Sequence, residues 1–159
     1  MASASVLESL KTLEFTQDLE MHHLEKLASI STQVTFSEGA TLFREEDKSE
    51  LVYLIEEGDV SIVTQVPGHG QVTILTIGPG QILGWSSLFP PQRKTAGAIA
   101  NEPTRVVAIN ATQLRELSQT DHELGNKIMW RVAEVISERL RAARRQLLDM
   151  FEPSRNNQT

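Results

Sequence analysis

The run Ile82-Leu83-Gly84-Trp85-Ser86-Ser87-Leu88-Phe89-Pro90-Pro91-Gln92-Arg93-Lys94-Thr95-Ala96 places a glycine, two serines, two prolines and two cations in one short stretch. The chemistry these residues suit is the holding of an anion. Gly84 lacks a Cβ and lets the backbone come close to a ligand. Ser86 and Ser87 can open one helical turn whose first amides point outward as donors. Pro90 and Pro91 end that turn, and the chain returns through Arg93 and Lys94, whose charges would face an anion held by the amides. The candidate ligand-binding residues are therefore Gly84, Trp85, Ser86, Ser87, Leu88, Arg93, Lys94 and Thr95. By residue type alone a surface loop with solvated cations fits equally well, because Gly, Pro and Ser populate loops generally. Both readings stay open at this level.

Other chemistries find little support. The absence of cysteine excludes iron–sulfur clusters, thiolate zinc sites, disulfides and cysteine nucleophiles. The histidines, His22, His23, His69 and His122, lack the His-x-His spacing of a jelly-roll metal centre. Adjacent His22 and His23 point to different faces of a helix and make a poor joint ligand pair, so no metal site is expected. His69 lies in a Gly-His-Gly turn. Ser86 and Ser87 have no motif-linked histidine base, so no catalytic residue is assigned and the chain is not expected to be an enzyme. A net charge of −6 argues against nucleic-acid binding through the whole surface.

The elements that must position the 82–96 run follow from periodicity. A length of 159 residues with 40% hydrophobic content suits one domain plus a helical extension. Val6, Leu7, Leu10 and Leu13, then Leu19, Met21, Leu24, Leu27, Ala28 and Ile30, predict two helical pieces broken near Phe15-Thr16, with Thr16 or Asp18 capping the second. From Gln33 to Asn110 the pattern changes to about eight short strands. They centre on Val34/Phe36, Leu42-Phe43, Leu51 to Ile55, Val60/Ile62, Val72/Ile74/Leu75, Ile82-Leu83, Ala98/Ala100 and Val106 to Ile109. Turn signals such as Glu57-Gly58-Asp59 and Gly78-Pro79-Gly80 separate them, which predicts a closed sandwich or jelly roll. The expected organisation is a helical segment at 1–32, a β-roll core at 33–110, C-terminal helices at 111–151 and a disordered polar tail at 152–159. Residues 1–17 carry Glu8, Lys11 and Glu14 where a signal peptide needs an unbroken apolar run, so a cytoplasmic protein without a membrane span is expected.

The last element is a long helix starting near Asp121. Ile136, Leu140, Ala143 and Leu147 recur at the four-three spacing of a coiled-coil seam and predict a homodimer interface. The alternative folds this helix back on its own barrel. Arginines 131, 139, 141, 144 and 145 read as the solvated flank of that seam, with an acidic protein surface as their partner class in preference to nucleic acid. The eight residues after Phe151 are too few for a helix-turn-helix, so direct DNA reading is not expected.

With these elements in order, three segments carry a resemblance: Glu45-Glu46-Asp47, Val52-Tyr53-Leu54-Ile55-Glu56-Glu57-Gly58-Asp59-Val60, and Leu75-Thr76-Ile77-Gly78-Pro79-Gly80-Gln81-Ile82-Leu83-Gly84. From about Leu13 to Leu140 the chain resembles the cyclic nucleotide-binding domain of the catabolite-activator and protein-kinase-regulatory-subunit superfamily. The resemblance implies a mainly β fold with flanking helices, a double-stranded β-helix roll. It also implies a cyclic nucleotide held in a phosphate-binding cassette, and a C-terminal helix that relays occupancy and often dimerises.

The cassette diverges at its chemistry. Trp85 stands where the family has a glutamate that accepts the ribose 2′-hydroxyl. Lys94 stands where the family has an arginine that grips the cyclic phosphate, with Arg93 one position earlier. A lysine supplies a point charge without a bidentate fork. Loss of the glutamate is expected to weaken cyclic nucleotide binding by about 1.5–3 kcal/mol. Two functions follow. One is a regulatory sensor that binds cyclic AMP, cyclic GMP or a related anionic small molecule, with no other cofactor, and signals through its C-terminal helix. The other is a ligand-free degenerate roll that acts as a dimerising protein-interaction module, with Trp85, Leu88 and Phe89 filling the old cavity.

Overall fold

Alternating apolar residues between glycine turns give eight strands in the computed structural model, which describes residues 2–151. They are β1 (Ser31–Phe36), β2 (Thr41–Phe43), β3 (Leu51–Glu57), β4 (Val60–Val66), β5 (Gly70–Ile77), β6 (Ile82–Leu83), β7 (Gly97–Ala100) and β8 (Thr104–Asn110). Two antiparallel four-stranded sheets, in the orders β1-β8-β3-β6 and β2-β7-β4-β5, face each other as a roll. Helices α1 (Ala2–Thr12) and α2 (Met21–Ser29) precede it, and α3 (Ala111–Thr120) and α4 (His122–Met150) follow. This is the mainly β roll with flanking helices that the sequence predicts. The tail at 152–159 lies outside the described residues.

The two central strands of the first sheet, β3 and β8, are buried on both faces. Tyr53 and Ile55 of β3, with Val106 and Ala108 of β8, point into the roll. Val52 and Leu54, with Val107 and Ile109, point outward into a second cluster built with Val6, Leu10, Leu27, Leu114, Leu124 and Ile128 of the helices. Double burial explains why β3 reads as an unbroken apolar run, whereas a strand with one solvated face alternates.

Several local expectations are corrected. Neither Thr16 nor Asp18 caps α2; its N-cap is Glu20, whose side chain makes no capping bond. The break between α1 and α2 is a 3-10 turn at Glu14–Thr16, and Thr16 Oγ1 is buried there against the carbonyls of Leu10 and Leu13. Asp121 does cap α4, accepting from the Leu124 amide at 3.1 Å. His22 and His23 are not held apart. Successive helix positions diverge by about 100°, yet both lie in the first turn of α2 and their rings fold together with centroids 4.0 Å apart.

Helix α4 has two unlike halves. Leu124, Ile128 and Val132 are buried in the helical cluster, whereas Leu140 is 68% and Leu147 55% exposed. The predicted seam is thus divided. Ile136 packs against the chain's own core, and Ala143 lies beside the roll. The arginine run is divided too: Arg131 donates to the carbonyls of Glu14 and Phe15, so it ties α4 to the N-terminal segment instead of flanking a seam.

Candidate functional site

The chain leaves β6 through Gly84, whose φ of 81° is left-handed, and enters a 3-10 turn at Trp85–Leu88. A Cβ on Gly84 would lie 2.9 Å from Lys94 Nζ and 3.1 Å from the Leu51 carbonyl, so both conformation and space require glycine there.

Lys94 is why that space is tight. Its side chain is turned inward and is only 1% exposed. Nζ donates to the Leu51 carbonyl at 2.6 Å, the Gly84 carbonyl at 3.0 Å and Ser87 Oγ at 2.5 Å, and lies 4.8 Å from the Phe43 ring centroid. An ammonium has three protons, and all three are used within the fold. Burial lowers its pKa to about 8, partly opposed by the charge of Asp47. The Ser87 hydroxyl in turn donates to the Ser49 carbonyl at 2.5 Å, and Arg115 of α3 donates to the Ser87 carbonyl at 2.7 Å. The turn is therefore anchored to β3, α3 and the segment before β3.

The Ser87 amide closes the turn on the Gly84 carbonyl at 3.2 Å, which leaves the amides of Trp85 and Ser86 at its open start. The peptide joining Gly84 to Trp85 carries Lys94 on its carbonyl side. An ammonium there polarises the peptide and strengthens the Trp85 N–H as a donor.

Above the turn lies a pocket of about 270 Å3. Phe43, Ile62 and Leu83 of the roll line it, with Gly84, Trp85, Ser86, Thr95 and Ala96 on one side and Arg139, Ala142, Ala143 and Gln146 of α4 on the other. The Arg139 guanidinium stacks over Trp85, 4.3 Å from the ring centroid, and donates to the Ile82 carbonyl. Burial brings its pKa down to about 10, with Glu138 opposing, so it stays cationic at neutral pH. Among the described residues it is the one ionic side chain in the lining.

Of the predicted ligand-binding residues, Gly84, Trp85, Ser86 and Thr95 meet at this pocket. Ser87 and Lys94 lie beneath it as supports, and Leu88 is buried in the helical cluster. Arg93 is half-exposed, with Nη1 3.7 Å from Glu46. Neither Leu88 nor Phe89 fills the cavity; Phe89 is partly exposed at the surface. Arg115 and Arg139 escaped the sequence reading. Arg139 was grouped with the solvated arginines, and only its spacing within the same helical face as Val132 and Val135 hinted that it turns inward.

Comparison with known proteins agrees with this architecture. The family model described as the cyclic nucleotide-binding domain matches residues 33–121. The chain is 28% identical over 136 residues to the CRP-like cAMP-activated global transcriptional regulator of Mycobacterium tuberculosis, covering 85% of this chain and 58% of that protein. It thus spans less than two thirds of that relative's length. A Geobacter metallireducens structure described as a cyclic nucleotide-binding protein is 34% identical, with a TM-score of 0.75, over 84% of this chain and 96% of that one. A cyclic nucleotide-binding domain from Methylobacillus flagellatus shares the fold at 24% identity and a TM-score of 0.79, over 93% and 83% of the two chains. The matched span runs from β1 through α3 to the cap of α4 and contains every element that shapes the turn, so the chain belongs to the cyclic nucleotide-binding domain family.

Proposed function

We propose that this chain is a non-enzymatic regulatory sensor: a core at 33–110 binds a cyclic nucleotide or related anionic small molecule, and helices at 111–151 transmit its occupancy. The observation that carries this reading is the Arg139–Trp85 stack, which joins the C-terminal helix directly to the wall of the pocket. The volume of about 270 Å3 sits near the lower end of ligand pockets, roughly 300 Å3 and above. The ligand's phosphate would accept from the Trp85 and Ser86 amides, and Arg139 offers the planar fork that Lys94 lacks. The base would lie against the apolar walls. A ligand that draws Arg139 away from Trp85 and the Ile82 carbonyl removes contacts that hold this part of α4 to the roll, which couples binding to the helix.

Homodimerisation through α4 extends the same reading. Leu140 and Leu147, the exposed members of the predicted set Ile136, Leu140, Ala143 and Leu147, form the stripe a second copy would cover. Leu140→Lys would place like charges across that axis; sedimentation should show a dimer for the parent and a monomer for the variant.

One observation favours the second reading, a ligand-free interaction module. The lysine at the cassette's cationic position uses its three donors on protein acceptors. Calorimetric titration with cyclic AMP and cyclic GMP separates the two. The sensor reading expects saturable binding, tightened roughly ten- to a hundredfold by Trp85→Glu through the restored ribose acceptor. A flat titration with both nucleotides, in parent and variant alike, would leave the interaction module standing.

A further inference from the structure

At the junction of α2 and α4, His23 is fully buried and, among the described residues, neither of its ring nitrogens has a hydrogen-bond partner. A buried polar group left unpaired costs about 1–3 kcal/mol. Nδ1 and Nε2 are therefore groups whose partner must be sought. Nε2 lies 3.9 Å from Glu123 Oε2 and 3.9 Å from Asp121 Oδ2, too far for a hydrogen bond. Two bonds of about 2.0–2.2 Å, the length zinc makes to imidazole nitrogen or carboxylate oxygen, span that gap. His22 completes the set: one ligand atom from each of His22, His23 and Glu123 lies within 4.8 Å of the others.

We propose that His22, His23 and Glu123 form a binding site for a divalent transition-metal ion of the zinc class. Two imidazoles and a carboxylate are a borderline-soft donor set of the kind such ions take, with a water in the fourth position. Tetrahedral bonding needs ligand atoms about 3.3 Å apart. The two outer ligands can close the remainder by side-chain rotation, because His22 and Glu123 are both more than half exposed. His23 stays fixed by its burial.

The surrounding charges permit this arrangement. Asp121 is already engaged, with Oδ2 on Lys26 at 2.7 Å and Oδ1 on the Leu124 amide, so it serves as a nearby negative charge and not as a fourth ligand. Lys127 Nζ lies 3.6 Å from Glu123 Oε1, an exposed pair weak enough for an ion to displace. Glu20, 3.3 Å from His22 Nδ1, is similarly exposed.

The bound ion would clip the first turn of α2 to the first turn of α4. It acts about 24 Å along α4 from Arg139, at about 1.5 Å per residue, and does not depend on the pocket's occupancy. The sequence hid this site because adjacent histidines on a helix were expected to diverge.

The test uses the full chain without a histidine tag, titrated calorimetrically with Zn2+ and followed by visible absorption with Co2+. Expected are one ion per chain at micromolar affinity or tighter, cobalt d–d bands indicating nitrogen ligation, and a rise in Tm with Zn2+. Because His23→Ala leaves a hole in a packed junction, the exposed ligands are the better probes. His22→Ala and Glu123→Gln should each weaken Zn2+ binding by at least about tenfold and remove the cobalt bands, while His69→Ala, in the loop before β5, should change neither. Absence of saturable Zn2+ binding to the parent overturns the proposal, as does stoichiometric binding that survives both substitutions.

Discussion

The floor and the lid of the pocket are held in different ways. The floor, the turn after Gly84, is fixed from three directions: Lys94 ties it to β3, Ser87 to the Ser49 carbonyl, and Arg115 to α3. The lid, the second half of α4, is held to the roll by one side chain, Arg139, which stacks on Trp85 and donates to the Ile82 carbonyl, and by a long Gln146 bond to the Ile74 carbonyl at 3.5 Å; beyond Arg139 its leucines are exposed. A site with a rigid template and a lightly held cover can keep its recognition geometry while the cover moves. That is the division the proposed sensor needs, with recognition in the turn and transmission in the helix.

The sharpest way to break this comparison is at Lys94. Lys94→Met removes the ammonium but leaves the Leu51 and Gly84 carbonyls buried, and should destabilise the protein by about 2–3 kcal/mol in urea denaturation. The same variant changes the pH dependence. Burial places the native pKa at about 8, below the ordinary 10.5, so between those values the unfolded chain holds a proton that the native state has released. Stability from this group therefore rises as pH increases from about 8 to about 10.5, and Lys94→Met should lose that rise. Parallel curves for parent and variant over this window would show that the ammonium keeps its proton in the fold.

Arg115→Ala should follow, with a loss of about 1.5 kcal/mol from one charge-assisted bond to the Ser87 carbonyl. If it instead matches Lys94→Met, the floor is a single cooperative unit and not a set of separate anchors.

On the lid, Arg139→Ala removes both the charge-assisted bond to the Ile82 carbonyl and the cation–π contact with Trp85, and should reduce stability by about 1.5–2 kcal/mol. It should speed amide hydrogen exchange in the second half of α4 while leaving exchange around Gly84 unchanged. Equal acceleration at both places would erase the distinction between floor and lid. The smallest effect belongs to Leu147→Ala, within about 0.5 kcal/mol for the isolated protomer. A larger loss that grows with protein concentration would mean that the exposed stripe is covered by a second copy.

Much of the roll was legible in the chain because strand signals are local. Leu51 to Ile55, Val72 to Leu75 and Val106 to Ile109 carry their own periodicity, and glycine turns separate them, so all eight strands fall where that pattern predicts. Gly84 was legible for the same reason: a residue without a Cβ just after a short strand announces a close approach. The Trp85 and Lys94 departures were equally visible, since they are matters of residue type at a position.

What the chain alone could not decide was direction. Lys94 turns inward because the Leu51 carbonyl, the Gly84 carbonyl and Ser87 Oγ converge on one point, and they come from segments brought together only by the folded sheet and turn. Arg139 leaves the solvated arginines because the docking angle of α4 presents that one position to Trp85. His22 and His23 meet Glu123 across a sequence separation that no local pattern records. Local propensity and hydrophobic period determined the elements of this protein; the destination of each charged side chain was a tertiary matter, because a charge is stabilised by whichever acceptors the whole fold places around it.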